Sequence, residues 1–168
     1  MTLKLEEIGP QHQDRLIAAS IASKALHADW VTCPKTAEEF CKALGKYESD
    51  SAIGFLALDQ NDNLVAWISL SEIVRGGFQS AYMGYCVFKP FDGQGLMSKA
   101  MKLVIARAFG EIGLHRLEAN IQPENTNSIG LVESLGFRRE GLSLRYLRVA
   151  GEWRDHQRYA ITTEEFEL

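Results

Sequence analysis

Between Tyr82 and Gly110 an apolar extended run, a glycine turn and an amphipathic helix follow without a break, and few architectures accept that order. Tyr82 to Phe88 is aromatic and β-branched and is stopped by Pro90, which predicts a buried strand. Beyond the turn, Leu96, Met97, Ala100, Met101, Val104, Ile105, Ala108 and Phe109 recur at three- and four-residue spacing, so one helix face is apolar. Lys99, Lys102 and Arg107 fall mainly on the other face. The join carries Gly93 and Gly95. The first turn of a helix leaves N–H groups without partners and gathers roughly half a positive charge. Glycines remove the Cβ atoms that would hold an anion off those amides, so a phosphate or pyrophosphate could rest there. A plain strand-to-helix turn would also use two glycines, and both readings stand. Neither standard nucleotide motif is present: the P-loop Lys-Ser/Thr is missing, and Ser98 stands where a dinucleotide fingerprint has its third Gly or Ala.

The flanking chain reads as further strands and helices. Leu3 and Leu5 begin a short strand, and Gln11 to Leu26 has helical spacing with a small-residue face. Thr36 followed by Glu39 has capping-box spacing, which predicts a helix from Thr36 to Leu44. The runs SAIGFLAL and NLVAWISLSEIV, separated by DQND, read as a hairpin. After the central helix, LHRLEANIQ reads as a strand stopped by Pro123, and Asn125 caps a helix over TNSIGLVESL with Gly136 just past its end. Strands over Phe137 to Val149 and Trp153 to Ile161 close the chain. The order is β-α-α-β-β-β-α-β-α-β-β, an α/β domain around a mixed sheet, and no linker or repeat divides residues 1–168.

Several function classes are excluded at this level. A formal net charge of −4 argues against general nucleic-acid binding, which needs a basic face. No apolar run approaches the ~20 residues of a membrane span, and Met1 to Gly9 does not read as a signal peptide, so a cytoplasmic protein is expected. Cys33, Cys41 and Cys86 lack Cys-x-x-Cys spacing, and His12, His27, His115 and His156 are scattered, so neither a disulfide framework nor a metal is expected. Trp30, alone among small and polar residues, either fills core or lines a substrate mouth.

Two segments carry a resemblance. FDGQGLM at the helix start is similar to the Arg/Gln-x-x-Gly-x-Gly/Ala loop of the GNAT superfamily of acyl-CoA-dependent N-acyltransferases. QPENTNSIGLVESLGF resembles that family's Pro-x-Asn-x-x-Ser/Ala…Leu-Gly-Phe segment, with Pro123, Asn125, Ser128, Leu135, Gly136 and Phe137 in place. IVRGGFQSAYMGY and EGLSLRYLRVAGEWRDH resemble the RimJ/RimL branch, which acetylates ribosomal-protein N-termini. The likeness is strong from about Leu64 to Ala160 and weak over the first sixty residues.

The resemblance implies a mostly antiparallel sheet flanked by helices, acetyl-CoA as cosubstrate, and an amine acceptor, either a protein N-terminus or a small amine. It implies that Cys86, Val87 and Phe88 pair with pantetheine, that Asp92, Gly93, Gln94, Gly95, Leu96 and Met97 form the pyrophosphate loop, and that Asn125 contacts the pantetheine arm. Ser128 would protonate the departing thiolate; its hydroxyl could equally satisfy backbone in the helix's first turn. Homodimers are common in such a family. Two positions depart from the pattern: Asp92 replaces Arg or Gln, and Arg145 stands where an acidic base is expected. Glu72 is the preferred substitute base, ahead of Glu118 and His156, with Trp30 on the substrate side. A non-catalytic acyl-CoA-binding module is the reading from another class.

Overall fold

The computed structural model describes residues 2–28 and 30–166. It runs β1 (Lys4–Glu7), α1 (Gln13–Ala22), α2 (Lys24–His27), α3 (Ala37–Leu44), β2 (Ile53–Leu58), β3 (Leu64–Val74), β4 (Ser80–Val87), α4 (Leu96–Gly110), β5 (Arg116–Ile121), α5 (Thr126–Ser134), β6 (Arg138–Val149) and β7 (Glu152–Thr162). The strands form one seven-stranded sheet in the order β1-β2-β3-β4-β5-β7-β6. Only β4 and β5 run parallel; the other neighbours are antiparallel.

Both faces of the central strands are buried, which is why their sequences are continuously apolar rather than alternating. In β2, Phe55 and Ala57 enter a core with α4 and α5, while Leu56 and Leu58 enter a second core with α1 and α3. Met83 and Cys86 of β4 divide in the same way. The apolar stripe of α4 lies at the centre of the first core through Ala100, Met101, Val104, Ile105 and Ala108, all fully buried.

The expected helix from Gln11 to Leu26 is two helices, because the backbone leaves helical geometry at Ser23. Ser23 is buried, and its Oγ accepts a hydrogen bond from the Lys89 N–H at 2.9 Å, tying the break to the exit of β4. The cap of α3 is as expected: Thr36 Oγ1 accepts from the Glu39 N–H at 3.2 Å. The Glu39 carboxylate reaches back to the Lys35 N–H at 2.7 Å instead of the cap residue's own. A Thr36→Ala variant is expected to lose about 1 kcal/mol of stability, read as a lower urea midpoint at unchanged slope.

Candidate active site

β4 and β5 pair over only three positions, Ser80 with Arg116, Ala81 with Leu117 and Tyr82 with Glu118. Beyond Tyr82 they part: β4 stays with β3 as far as Val87, and β5 follows β7 through Ile121. The parting strands leave a V-shaped gap that holds a cavity of about 340 Å³. Its walls are residues 83–87 of β4 and Ala119, Asn120 and Ile121 of β5. Met97 of α4 and Asn125, Ser128 and Leu131 at α5 line it too, and Leu26, His27, Trp30 and Val31 stand on the side of the N-terminal helices.

The hydroxyls of Tyr85 and Ser128 meet inside this gap at 2.5 Å. Ser128 is placed by its helix: its N–H donates to Asn125 Oδ1 at 3.2 Å, the N-cap bond of α5. The Ser128 side chain therefore stands in the first turn, where the helix dipole favours negative charge. Burial pushes the Tyr85 phenol up to about 12, although its bond to Ser128 works the other way. The phenol thus stays protonated across the physiological range and remains a standing donor.

His156 of β7 is buried against the same cavity. Its Nδ1 lies 3.0 Å from the Arg154 carbonyl. A carbonyl only accepts, so Nδ1 carries the proton and the neutral ring keeps its lone pair on Nε2. Asn120 Oδ1 is buried without a hydrogen-bond partner in the cavity wall. Such an acceptor costs about 1–3 kcal/mol unless something donates to it, and an amide or amine of a ligand fits that need.

The glycine loop lies at the N-terminus of α4. Gly93 and Gly95 both have φ of +70°, and an added Cβ at either would meet nothing within 4 Å. The left-handed backbone explains why glycine is needed, and the open space in front of the amides suits an anion. Asp92 does not face that space as a free charge. Lys89 Nζ holds its carboxylate at 2.7 Å, and that hydrogen bond keeps the carboxyl below its ordinary pKa. Gln94 Nε2 donates to the Pro90 carbonyl at 2.7 Å, closing the loop on itself.

Of the residues expected at the site, Trp30, Cys86, Val87, Met97, Asn125 and Ser128 line the cavity. Gly93, Gln94 and Gly95 form the exposed loop, and Leu96 and Phe88 are buried in the two cores. Glu72 is not brought to the cavity. It sits at φ +50° in an irregularity between Ser71 and Val74 that interrupts the pairing of β3 with β4, and it is exposed. Glu118 is ion-paired with Arg116 at 2.9 Å. Arg145 is likewise exposed at a positive φ, its N–H bonded to Asp155 at 2.7 Å. Tyr85 is the residue that sequence reasoning passed over. Its only signal was a polar-tipped aromatic in a strand otherwise read as buried.

The short parallel pair of β4 and β5 thus splays beside a helix capped by Gly95. Residues 2–138 match the acetyltransferase (GNAT) domain model. The chain belongs to the GNAT acetyltransferases. Among its relatives is the "Probable N-acetyltransferase YjcK" of Bacillus subtilis, 38% identical over 79% of this chain and 72% of that protein. The [ribosomal protein uS5]-alanine N-acetyltransferase of Escherichia coli is 34% identical over 71% of this chain. That match spans 62% of the E. coli enzyme, less than two thirds of its length. The structure of Mycobacterium smegmatis RimJ in complex with CoA-disulfide superposes with a TM-score of 0.87, at 26% identity, over 99% of this chain and 84% of that one.

Proposed function

We propose that this protein transfers the acetyl group of acetyl-CoA to a protein N-terminal α-amine by direct attack of the amine on the thioester. The observation that carries the reading is the gap between β4 and β5, with a Tyr85–Ser128 hydroxyl pair and the His156 imidazole on its walls. The pyrophosphate would rest on the amides around Gly93 and Gly95, and the pantetheine arm would lie along residues 85–87. Backbone N–H groups near Val87 polarise the carbonyl. His156 Nε2 takes the proton from the attacking nitrogen as the C–N bond forms. As the C–S bond breaks, Ser128 gives its proton or its hydrogen bond to the sulfur, and Tyr85 supports Ser128 from behind.

The acceptor class follows from charge. Among the described residues lining the cavity there is no Asp, Glu, Lys or Arg. A polyamine would bring several positive charges into a wall with no carboxylate to meet them. An α-amine with a pKa near ~8 is about one-tenth neutral at pH 7, whereas a lysine amine near ~10.4 is neutral in roughly one molecule in 2,500. Leu26, Trp30 and Val31 offer an apolar mouth to a small first side chain. The uS5-alanine specificity in the E. coli relative's name supports the same class. The three free thiols suit a reducing cytoplasm, and among the described residues no helix is long and apolar enough to cross a membrane.

The test is thiol release from acetyl-CoA, with peptides beginning in Ala or Ser and a pool of polyamines and amino acids assayed apart. Release with peptides alone is the expected result, and release with the small amines alone would move the acceptor to that class. A His156→Gln variant is expected to lose on the order of 10²-fold in kcat/KM at pH 7. That loss should shrink at higher pH, where hydroxide can take the proton from the attacking nitrogen in place of the imidazole. A loss independent of pH would remove His156 from the proton path.

A further inference from the structure

On the face of β4 opposite α4, His27, Cys33 and Cys86 converge from three separate places in the chain. The two sulfurs lie 3.3 Å apart, and they and a ring nitrogen of His27 all fall within 4.8 Å of one another. All three are deeply buried: His27 is 6% exposed, Cys33 2% and Cys86 7%. His27 Nε2 is 2.8 Å from the Val87 carbonyl, so Nε2 carries the proton and Nδ1 keeps the lone pair. Nδ1 is buried, with the Cys33 thiol beside it and no oxygen or nitrogen within hydrogen-bonding geometry. A histidine whose one nitrogen donates to a backbone carbonyl while the other waits, buried, is arranged as metal-ligating histidines are.

We propose that His27, Cys33 and Cys86 form a three-ligand site for a soft divalent cation, Zn²⁺. One imidazole and two thiolates are the donor set that zinc prefers over the oxygen-seeking cations. Tetrahedral zinc requires sulfurs about 3.8 Å apart, so the present 3.3 Å pair must open by roughly 0.5 Å. Cys33 can supply that shift, since it lies in the irregular stretch between α2 and α3. His27 and Cys86 also border the main cavity, which leaves the fourth position to water or to a ligand entering there. The expectation from sequence was the opposite, because the three residues share no ligand spacing and meet only where α2 and the stretch after it approach β4. Bound zinc would pin the segment carrying Trp30 and Val31 to the strand along which the cosubstrate is proposed to lie, so its role rests on that reading while its binding does not.

The experiment is a Co²⁺ titration of the reduced, metal-free, untagged chain with its exposed Cys41 replaced by Ser, followed by displacement with Zn²⁺. One equivalent should produce a sulfur-to-cobalt charge-transfer band that zinc abolishes. Cys86→Ala and His27→Gln should each weaken binding by more than the roughly 100-fold that loss of an outer partner costs. Competition with a chromophoric zinc chelator on the chain with all three ligands intact reads the same site without depending on variants that fold. No saturable band, no competition, or equal binding by a folded Cys33→Ser variant would overturn the site. None of these readouts needs acetyl transfer, so failure here and failure of the proposed activity are distinguishable.

Discussion

A Ser128→Ala variant is expected to turn over acetyl-CoA on the order of 10²-fold more slowly than the parent chain, with its KM for acetyl-CoA little changed. The expectation rests on when the hydroxyl is needed. Ser128 sits in the first turn of α5 against Tyr85, and in the proposed reaction negative charge would arrive there only as the C–S bond breaks. An interaction made mainly in the transition state lowers kcat and kcat/KM together. A hydrogen bond to a developing charge contributes about 2 kcal/mol, or roughly 30-fold, and proton transfer adds to it. Tyr85→Phe should produce a smaller loss of the same kind, because Tyr85 acts through Ser128. With a phenol pushed up to about 12, no ionisation of Tyr85 should appear in the pH–rate profile below about pH 11. Steady-state kinetics over acetyl-CoA concentration checks both variants. Unchanged kcat in Ser128→Ala, with cosubstrate still bound, would favour a protein that binds acyl-CoA without using it.

The largest expected loss of stability is at Phe55. Its ring is fully buried in the core shared with α4, and the Arg107 guanidinium lies 5.2 Å from its centroid. Phe55→Ala removes the ring from both contacts and leaves a cavity beneath α4, at a cost of about 3–5 kcal/mol. Against the roughly 5–15 kcal/mol that holds a domain together, that is enough to populate the unfolded chain. Chemical denaturation monitored by far-ultraviolet circular dichroism should show the midpoint falling sharply. Phe55→Leu, which keeps most of the volume, should cost less than half as much. Similar midpoints for the two variants would mean that the site relaxes to fill the void.

Much of the fold was written in local pattern. The period of α4, the cap at Thr36, the glycines at positive φ and the Asn125 cap each follow from a few neighbouring residues. Local chemistry settles such features because the interactions involved span three or four residues. The glycine loop, Asn125 and Ser128 were legible for the same reason, since each sits at a helix start that its own segment specifies.

What local pattern did not contain was the meeting of distant segments. Glu72 read as the best base because β3 lies beside β4, yet an irregularity at Ser71 to Val74 leaves it exposed. His156 reaches the cavity because β7, not β6, inserts beside β5. Tyr85 meets Ser128 across forty-three positions of sequence, and Cys33 meets Cys86 across fifty-three. The sequence alone determined most of the elements, their caps and the glycine turn before α4, through short-range hydrogen bonding and the burial of periodic apolar faces. Tertiary structure decided where β4 and β5 part and which side chains face one another across the gap, because strand order and register are set by packing over the whole sheet.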